Sequence, residues 1–539
     1  TAVGALSLDA NTTGSSNTAL GYGALSAATT ASYNTAIGEY AGVSTTTGTS
    51  NTVVGRAAFY SNTTGSNNTA VGISALNANT TGTLNVAVGE SALTANTTGA
   101  RNVAVGSGTL ETITTGTDNV AIGHDALNDV TTADYNTVVG SYAGDTITTG
   151  ESNTLMGYLA GTAITTASNN TAVGRVALYA NTTGSENTAI GMNSLTANTT
   201  GEDNTAIGYA ALFENTTADN NVAVGFYALK DNTTGTENTS VGKGSLDANT
   251  TASYNTGIGM NSLGANTTGE ANAALGRSSL LSNTTGSNNT GIGVNALYTN
   301  TTAGSNTAVG YYSLFANTTG TTNTAMGMQA GDAVTTGSGN TLIGYDAGAY
   351  ANELTTGSDN TVVGAYARNS AAGVSNELVL GRYALGQGVN TCTVGINGNG
   401  ATLSLDGSDT SWAAHSDERL KENIATSTAG LSFINDLRPV TYTWKAKNEI
   451  SEDFEHYYDA DSTDPVNGEK GKTYHGFVAQ EMKATIDAHS EVKDGNNLWS
   501  EKVDDIQQLA PSNLIPMLTK AVQELSAEVQ ELKKQLENK

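Results

Sequence analysis

The chain has 539 residues, including 63 Gly, 4 Pro and a single Cys, and its formal net charge is −27. This acidic balance excludes nucleic acid as a partner, because phosphates would be repelled, and one cysteine excludes both an intrachain disulfide framework and a multi-cysteine metal site. No apolar run approaches the roughly 18 residues that a membrane helix needs, so no membrane segment is predicted in this chain.

The composition changes near residue 400. Residues 1–400 are a low-complexity array of Asn, Thr, Gly, Ala and Val with 8 Lys and Arg against 24 Asp and Glu. All three Trp and all four Pro lie beyond this array, where the sequence reads as an ordinary globular domain with a helical tail. Two structurally different parts are therefore predicted.

A strictly periodic repeat fills the first part. The glycine of its N-T-A-V-G unit recurs at Gly4, Gly21 and Gly38 and continues at this constant spacing to Gly344, and an aliphatic residue or Met always precedes it. Helical periodicity is absent, and a unit of this length holds two short strands and two turns. Such units bury their apolar faces only by stacking, so the pattern predicts a parallel β-solenoid with one coil per repeat.

Three features of the stacked coils follow from the repeat. The residue before the glycine and the Leu that often lies four positions after it predict two apolar ladders. Asn recurs four positions before the glycine from Asn17 to Asn340, and stacked amides hydrogen-bond along the axis. The invariant glycine indicates a positive φ or a close backbone approach. The Asn-Thr-Thr triplets match the N-glycosylation pattern, but the repeat itself requires them, so sugar attachment is not predicted.

The two positions after each glycine vary freely, which indicates solvent exposure. Aromatic side chains there stack on sugars or contact a protein receptor, or they merely decorate a spacer. The candidate receptor-binding residues are Tyr22, Tyr158, Tyr209, Phe226, Tyr227, Tyr311 and Tyr312. Carboxylates look scattered, so a glycosidase cleft is not indicated. The calcium-binding nonapeptide is absent, so no metal and no cofactor are predicted.

The N-T-A-[VI]-G unit resembles the S-V-A-I-G repeat in the heads of trimeric autotransporter adhesins, although its period is longer. That resemblance implies a left-handed β-roll built from three chains. It covers roughly residues 1–400.

The second part carries three motifs in a characteristic order. They are S-D-E-R-L-K-E-N-I from Ser416, H-G-F-V-A-Q-E-M from His475 and L-I-P-M-L-T-K-A-V-Q-E-L from Leu514. This order is similar to the intramolecular chaperone domain of phage tail spikes and fibres, peptidase family S74. The resemblance implies self-cleavage of the Ser416–Asp417 bond, with Lys421 assisting Ser416. Burial would lower the pKa of Lys421 enough for it to act as a base, which would link cleavage to trimer assembly.

The tail has apolar residues at alternating spacings of three and four. They are Ile515, Leu518, Val522, Leu525, Val529, Leu532 and Leu536. This seam predicts a coiled coil of about three heptads. Its β-branched and Leu positions favour two strands, whereas the family resemblance implies three, and a homotrimer is predicted.

The sequence therefore predicts a mostly β trimeric fibre or adhesin, extracellular, on a phage tail or a bacterial surface, that recognises a host glycan or protein receptor. The expected domains are a shaft at 1–400, a linker at 401–415, a chaperone domain at 416–512 and a coiled-coil helix at 513–539. The only predicted enzymatic activity is single-turnover serine self-cleavage. Two alternatives are a tailspike enzyme that degrades polysaccharide, which needs clustered acids, and an ice-binding solenoid, which needs a regular exposed Thr face.

Overall fold

The computed structural model describes residues 1–397, 399–405, 413–414, 423–451, 458–493, 498–501 and 507–538. The chain divides into two compact units, Thr1–His415 and Ser416–Lys539. Among the residues so described, no helix is long and apolar enough to cross a membrane.

The first unit is the predicted parallel β-solenoid. Each coil contributes one short strand, and each strand pairs in parallel with the strand one coil further on, as in Thr171↔Thr188 and Val173↔Ile190. The strands are β1–β23, at Ala2–Val3, Thr18–Leu20, Thr35–Ile37, Thr52–Val54, Thr69–Val71, Val86–Val88, Val103–Val105, Val120–Ile122, Thr137–Val139, Thr154–Met156, Thr171–Val173, Thr188–Ile190, Thr205–Ile207, Val222–Val224, Thr239–Val241, Thr256–Ile258, Ala273–Leu275, Thr290–Ile292, Thr307–Val309, Thr324–Met326, Thr341–Ile343, Thr361–Val363 and Leu378–Leu380.

The prediction of a second strand in each coil is wrong, since each coil has one strand. In its place the chain alternates ordinary residues with residues in the left-handed region, such as Val176 at φ 60° and Leu178 at φ 53°. The amide of Val176 donates to the carbonyl of Tyr158 one coil back, and the amide of Leu178 donates to Ser194 one coil forward, both at 3.0 Å. Successive amides thus point in opposite directions along the axis, which satisfies the backbone without a second strand.

Alternation along the strand separates the two apolar ladders. In β11, Thr171–Val173, the central Ala172 is buried while the flanking Thr and Val are only half-buried. The Leu ladder, represented by Leu178, is fully buried. The aliphatic ladder before the glycine instead lies on the outside of the strand, since successive strand residues face opposite sides. Only one of the two predicted ladders builds the core.

The predicted asparagine ladder is present. The Nδ2 of Asn34 donates to Oδ1 of Asn17 at 3.3 Å and to the carbonyl of Gly48 at 2.9 Å. A second ladder was not predicted. It consists of the Asn of the Asn-Thr-Thr triplets in two runs, Asn62–Asn96 and Asn181–Asn317, and these side chains are fully buried. Their burial removes them as acceptors of N-linked sugar.

Each run of the second ladder ends on an unpaired oxygen. The Nδ2 of each member after the first donates backwards along the axis, as Asn317 does to Asn300 at 2.9 Å. The coil after each run has an aliphatic side chain at the same position, Ile113 or Val334. The Oδ1 atoms of Asn96 and Asn317 are therefore buried without a hydrogen-bond partner among the described residues.

This geometry predicts that position within the ladder decides the cost of losing an amide. Asn249→Val deprives the Oδ1 of Asn232 of its donor, 2.9 Å away, and adds a buried unpaired oxygen. Asn317→Val removes one unpaired oxygen and creates another on Asn300. Asn249→Val should therefore cost about 1–3 kcal/mol more per chain than Asn317→Val, measured as free energy of unfolding or as a lower thermal midpoint. Equal effects would contradict the ladder argument.

The solenoid ends with a change of chemistry and of strand direction. Glu377 takes the Asn position of its coil, and its carboxylate accepts from the Asn369 side chain at 3.0 Å and from the amide of Gly388 at 2.8 Å. Strand β24, Thr391–Ile396, then pairs antiparallel with β25, Asn399–Ser404, which pairs with β26, Ala413–Ala414. The buried carboxylate and the antiparallel strands terminate the parallel stack.

The second unit is a small α+β fold. Its elements are α1 Leu431–Asp436, β27 Val440–Tyr442, β28 Tyr474–Gly476, α2 Ala479–Ala488, α3 Ser490–Lys493, β29 Trp499–Glu501, β30 Gln507–Leu509 and α4 Ile515–Glu537, with short 3₁₀ turns at Lys447–Glu449 and Pro511–Leu514. Strands β27–β28 and β29–β30 form two antiparallel pairs. The core is built from Phe433, Met482, Ile486, Val492, Leu498 and Leu514.

Candidate functional site

The outward side chains of the solenoid strands form a continuous surface, here called the outer strand face. It consists of the residue three before each glycine, usually Thr, and the aliphatic residue directly before it. In a single chain the Val residues of the aliphatic column after Val3 are half-buried, and most of its larger members are exposed: Leu20 by 46%, Met156 by 44%, Leu275 by 48% and Met326 by 45%. A contiguous, partly exposed apolar column of this length is typical of an interaction surface.

The candidate receptor residues separate into several aromatic clusters. Tyr22, Tyr158, Phe226 and Tyr311 are exposed, whereas Tyr209, Tyr227 and Tyr312 are half-buried. The clusters bring together Tyr209, Phe226 and Tyr227 in one place and Tyr311, Tyr312 and Phe315 in another, while Tyr22 contacts Tyr40 and Tyr158 contacts Tyr142.

Several rings of these clusters contact a ring of the next coil. The centroids of Tyr209 and Phe226 are 5.2 Å apart with planes within 16° of parallel, whereas Tyr22 and Tyr158 meet Tyr40 and Tyr142 edge to face. Both arrangements stabilise neighbouring coils. Because these contacts cover part of each ring, a ligand meets the remaining ring surface and the tyrosine hydroxyl groups.

Some carboxylates that look scattered in the sequence interact across coils. Burial raises the pKa of Asp332 to about 6, and the charges of Asp346 and Glu353 add to this effect, while a hydrogen bond with Gln329 opposes it. The pKa of Asp145 is raised by burial and by Asp129. A spacing between acids that is close to the length of one coil is the sequence signal for such neighbours.

The residues predicted to carry self-cleavage, Ser416, Asp417 and Lys421, lie outside the described residues. The predicted dyad therefore stays a prediction. The described chain of this unit resumes at Asn423, ahead of the first helix, α1.

Helix α1 is joined to the C-terminal helix α4 by a single carboxylate. The Oε2 of Glu524 accepts the backbone amide of Leu431 at 2.7 Å, at the start of α1, where helices favour negative charge. This hydrogen bond is the main cause of the lowered pKa of Glu524. Gly430 leaves no space for a Cβ atom beside the same carboxylate. Glu524, in the motif that begins at Leu514, thus fixes the start of α1 through a contact that spans 93 residues of sequence.

A histidine links α1 to α3. The Nδ1 of His489 lies 2.7 Å from Glu491 and its Nε2 lies 2.9 Å from Asp436. Hydrogen bonds to Glu491 first and Asp436 second raise the pKa of His489. A raised folded-state pKa means that the pair of contacts stabilises the unit fully below the ordinary His pKa of about 6.5, and that this stabilisation is lost as pH rises through the folded-state value.

We therefore expect the second unit to lose stability as the pH rises above about 6.5, the ordinary His pKa, and His489→Gln to remove most of this dependence. The fluorescence of Trp444 and Trp499 reports unfolding of this unit within the full chain, and the shift in thermal midpoint should be on the order of a few degrees. His475→Gln is the matched control, because His475 is exposed. A wild-type midpoint that does not fall as the pH rises above about 6.5 would contradict the assignment.

The predicted seam of the tail lies on helix α4 and is unpaired in a single chain. Ile515, Val522, Leu525, Leu532 and Leu536 are exposed by 49% or more. On another side of the same helix, Ala521 is buried. One side of α4 thus packs into the unit while the seam is presented to solvent.

Comparison with known proteins agrees with part of this picture. The family model Peptidase_S74, chaperone of endosialidase, matches residues 416–490. No curated protein matches, and no solved structure matches. The predicted resemblance to this family is confirmed: residues 416–490 match the chaperone of endosialidase, Peptidase S74, and follow a long β-solenoid of 17-residue coils.

Proposed function

We propose that the protein is a homotrimeric fibre of the tail fibre or tail spike type, whose C-terminal domain directs trimer folding and then releases itself. The observation that carries this proposal is a pair of unpartnered apolar surfaces on one chain. They are the aliphatic column of the outer strand face and the seam of α4. Each is a column that continues along its own unit, and another copy of the chain carries a matching column for each of them.

The energetic argument favours burial of the column. Apolar surface gains about 25 cal/mol per Å² when it leaves water, and the aliphatic residue recurs in every coil from Val3 to Ile343. The match to the chaperone family supports three chains, because resemblance to that family implies trimer assembly. A coiled coil as short as α4 is then expected to form with three helices, because the domain before it sets the number of chains.

Light scattering on the full chain tests assembly, with Ser416→Ala present so that cleavage does not change the mass. The parent should have three times the chain mass of 54.7 kDa. Ile207→Lys with Val224→Lys places charges in the aliphatic column and should abolish the trimer or lower its thermal midpoint strongly. Thr200→Lys with Thr217→Lys is the control, since both residues are exposed away from the strands.

A monomeric or dimeric parent would contradict the proposal. So would a column variant that is as stable as the control. In either case the outer strand face would remain exposed in the folded protein and would need another occupant.

The proposal extends to the cleavage site, the domain boundaries, the location of the fibre and its receptor contacts. Ser416 and Lys421 cleave the Ser416–Asp417 bond after assembly. The domains are 1–400, 416–512 and 513–539 with a linker at 401–415. The fibre is extracellular, on a virion or a bacterial surface. Tyr22, Tyr158, Tyr209, Phe226, Tyr227, Tyr311 and Tyr312 contact its receptor through the remaining ring surface and the tyrosine hydroxyl groups.

One observation favours ice binding as the second candidate. The outer strand face carries Thr in most coils beside the aliphatic column, at the spacing of about 4.8 Å between strands, with Val86, Val103, Val120, Val222 and Ala273 in its place in the other coils up to Gly344. Strands β1–β23 contain no aromatic residue. This function requires the face to be free. Ice shaping by a monomeric chain would support it, and a trimer that buries the face would exclude it.

A further inference from the structure

An open cavity of about 400 Å³ interrupts the solenoid surface over three consecutive coils. It lies on the side formed by the second, fifth and sixth positions after the repeat glycine, not on the outer strand face. Two glycines create it. Gly244 stands where neighbouring coils have Tyr227 and Asn261, and Gly264 stands where other coils have Thr196 or Lys230. Gly264 is the only glycine at its position in the regular repeats.

The walls of the cavity carry polar groups with unused hydrogen-bonding capacity. Asp247 lines it, and the Oδ1 of this residue is buried with no hydrogen-bond partner in the described part of the chain. Burial, followed by the charge of Asp231, raises the pKa of Asp247. Asn261 and Ser282 add an amide and a hydroxyl group, and Leu281 supplies an apolar surface. Buried polar atoms in folded proteins normally have a hydrogen-bond partner. The unpaired oxygen of Asp247 therefore indicates that a hydrogen-bond donor from outside the chain belongs at this site.

Among the residues that line the cavity, Asp247 is the one charged group. Lys230 and Asp231 act on it in opposite directions, and Lys230 lies 2.7 Å from Asp231 and 5.5 Å from the centre of the Tyr227 ring. Because Lys230 is paired with Asp231, the carboxylate of Asp247 sets the charge of the cavity. An anionic ligand is therefore disfavoured, and a neutral ligand with hydroxyl donors fits the site.

We propose that this cavity is a binding site for a neutral saccharide. The carboxylate of Asp247 accepts sugar hydroxyl groups, and Asn261 and Ser282 exchange hydrogen bonds with further hydroxyls. Leu281 contacts the C–H face of the sugar ring. The volume suits one or two sugar units, since ligand pockets start at about 300 Å³.

Binding of the full-length protein to an oligosaccharide array tests this site. The array carries neutral gluco-, galacto- and manno-oligosaccharides together with the corresponding uronic acid oligosaccharides. The wild-type protein should retain one or more neutral series. Gly264→Thr fills the cavity and Asp247→Asn weakens its main acceptor, and each should reduce binding about tenfold. Gly264 has no left-handed φ, and Thr stands at the same position in other coils, so this variant should fold.

Thr196→Asn is the matched control, because it changes the same repeat position away from the cavity and should bind as the wild type does. Binding of no neutral saccharide, binding of uronic acids alone, or unchanged binding by both cavity variants would each overturn the inference. The result is separable from the proposed fibre function. A trimer that binds no saccharide overturns only the cavity site, and a saccharide-binding monomer overturns only the trimer.

Discussion

Full-length protein carrying Ser416→Ala is expected to stay intact, whereas the wild-type chain should release the C-terminal fragment Asp417–Lys539. A serine hydroxyl attacks a peptide bond only when a base removes its proton. Lys421 serves as that base if burial lowers its pKa, because desolvation disfavours the charged amine. Lys421→Ala should therefore also remain full length. Electrophoresis and intact mass measurement distinguish these outcomes.

The link between cleavage and assembly is tested by a variant that disrupts the seam of α4 and leaves the side of the helix that packs into the unit unchanged. Leu525→Lys with Leu532→Lys charges exposed seam positions of α4 but leaves Glu524 and the buried Ala521 unchanged. We expect this variant to be neither trimeric nor cut. Gln530→Lys changes an exposed residue of the same helix that lies outside the seam and the positions flanking it, and this variant should still be cut. Rapid cleavage in a species that light scattering shows to be monomeric would contradict coupling to assembly.

The solenoid could be predicted because its signal is repeated. The constant interval between repeat glycines fixes the length of the coil, and the in-register pairs such as Thr171↔Thr188 follow from that length alone. Which part of each coil forms the strand, and which part has the alternating left-handed backbone, could not be predicted in the same way. Leu178 and its equivalents adopt a left-handed φ that costs an isolated Leu energy, and hydrogen bonds to the coils on both sides outweigh that cost.

The second asparagine ladder had a signal that a glycosylation pattern obscured. In the column that contains Asn181, other coils have Ile113, Val130, Ile147 and Ile164. Free exchange between Asn and large aliphatic residues indicates a buried position, because an exposed position would also accept charged residues. Comparison of equivalent positions in successive coils therefore predicts this ladder, whereas the Asn-Thr-Thr triplet considered alone indicates only a glycosylation pattern.

The C-terminal unit shows the opposite limit. Its motifs occur in the order that predicts the chaperone family, and the family match confirms this resemblance. The contact of Glu524 with Leu431 joins residues 93 positions apart, and no periodicity in the sequence connects them. Single-copy contacts of this kind depend on the whole packing of the unit, so the motif alone did not indicate its partner.

The glycine ladder predicts the largest loss of stability from a single methyl group. Gly174 has φ +143°, where residues with a side chain are strained, and a Cβ atom there would lie 2.5 Å from the carbonyl oxygen of Gly191. The clash is with backbone of the next coil, so no side chain can move to relieve it. We expect Gly174→Ala to cost about 3 kcal/mol or more per chain, seen as a lower thermal midpoint by circular dichroism.

A second alanine separates the clash from the mere loss of a glycine. Gly373→Ala places a Cβ atom 3.3 Å from a side-chain oxygen at an ordinary φ and should change the midpoint little. Equal midpoints for Gly174→Ala and Gly373→Ala would show that the backbone of the next coil moves to make room for the methyl group, and would contradict the argument.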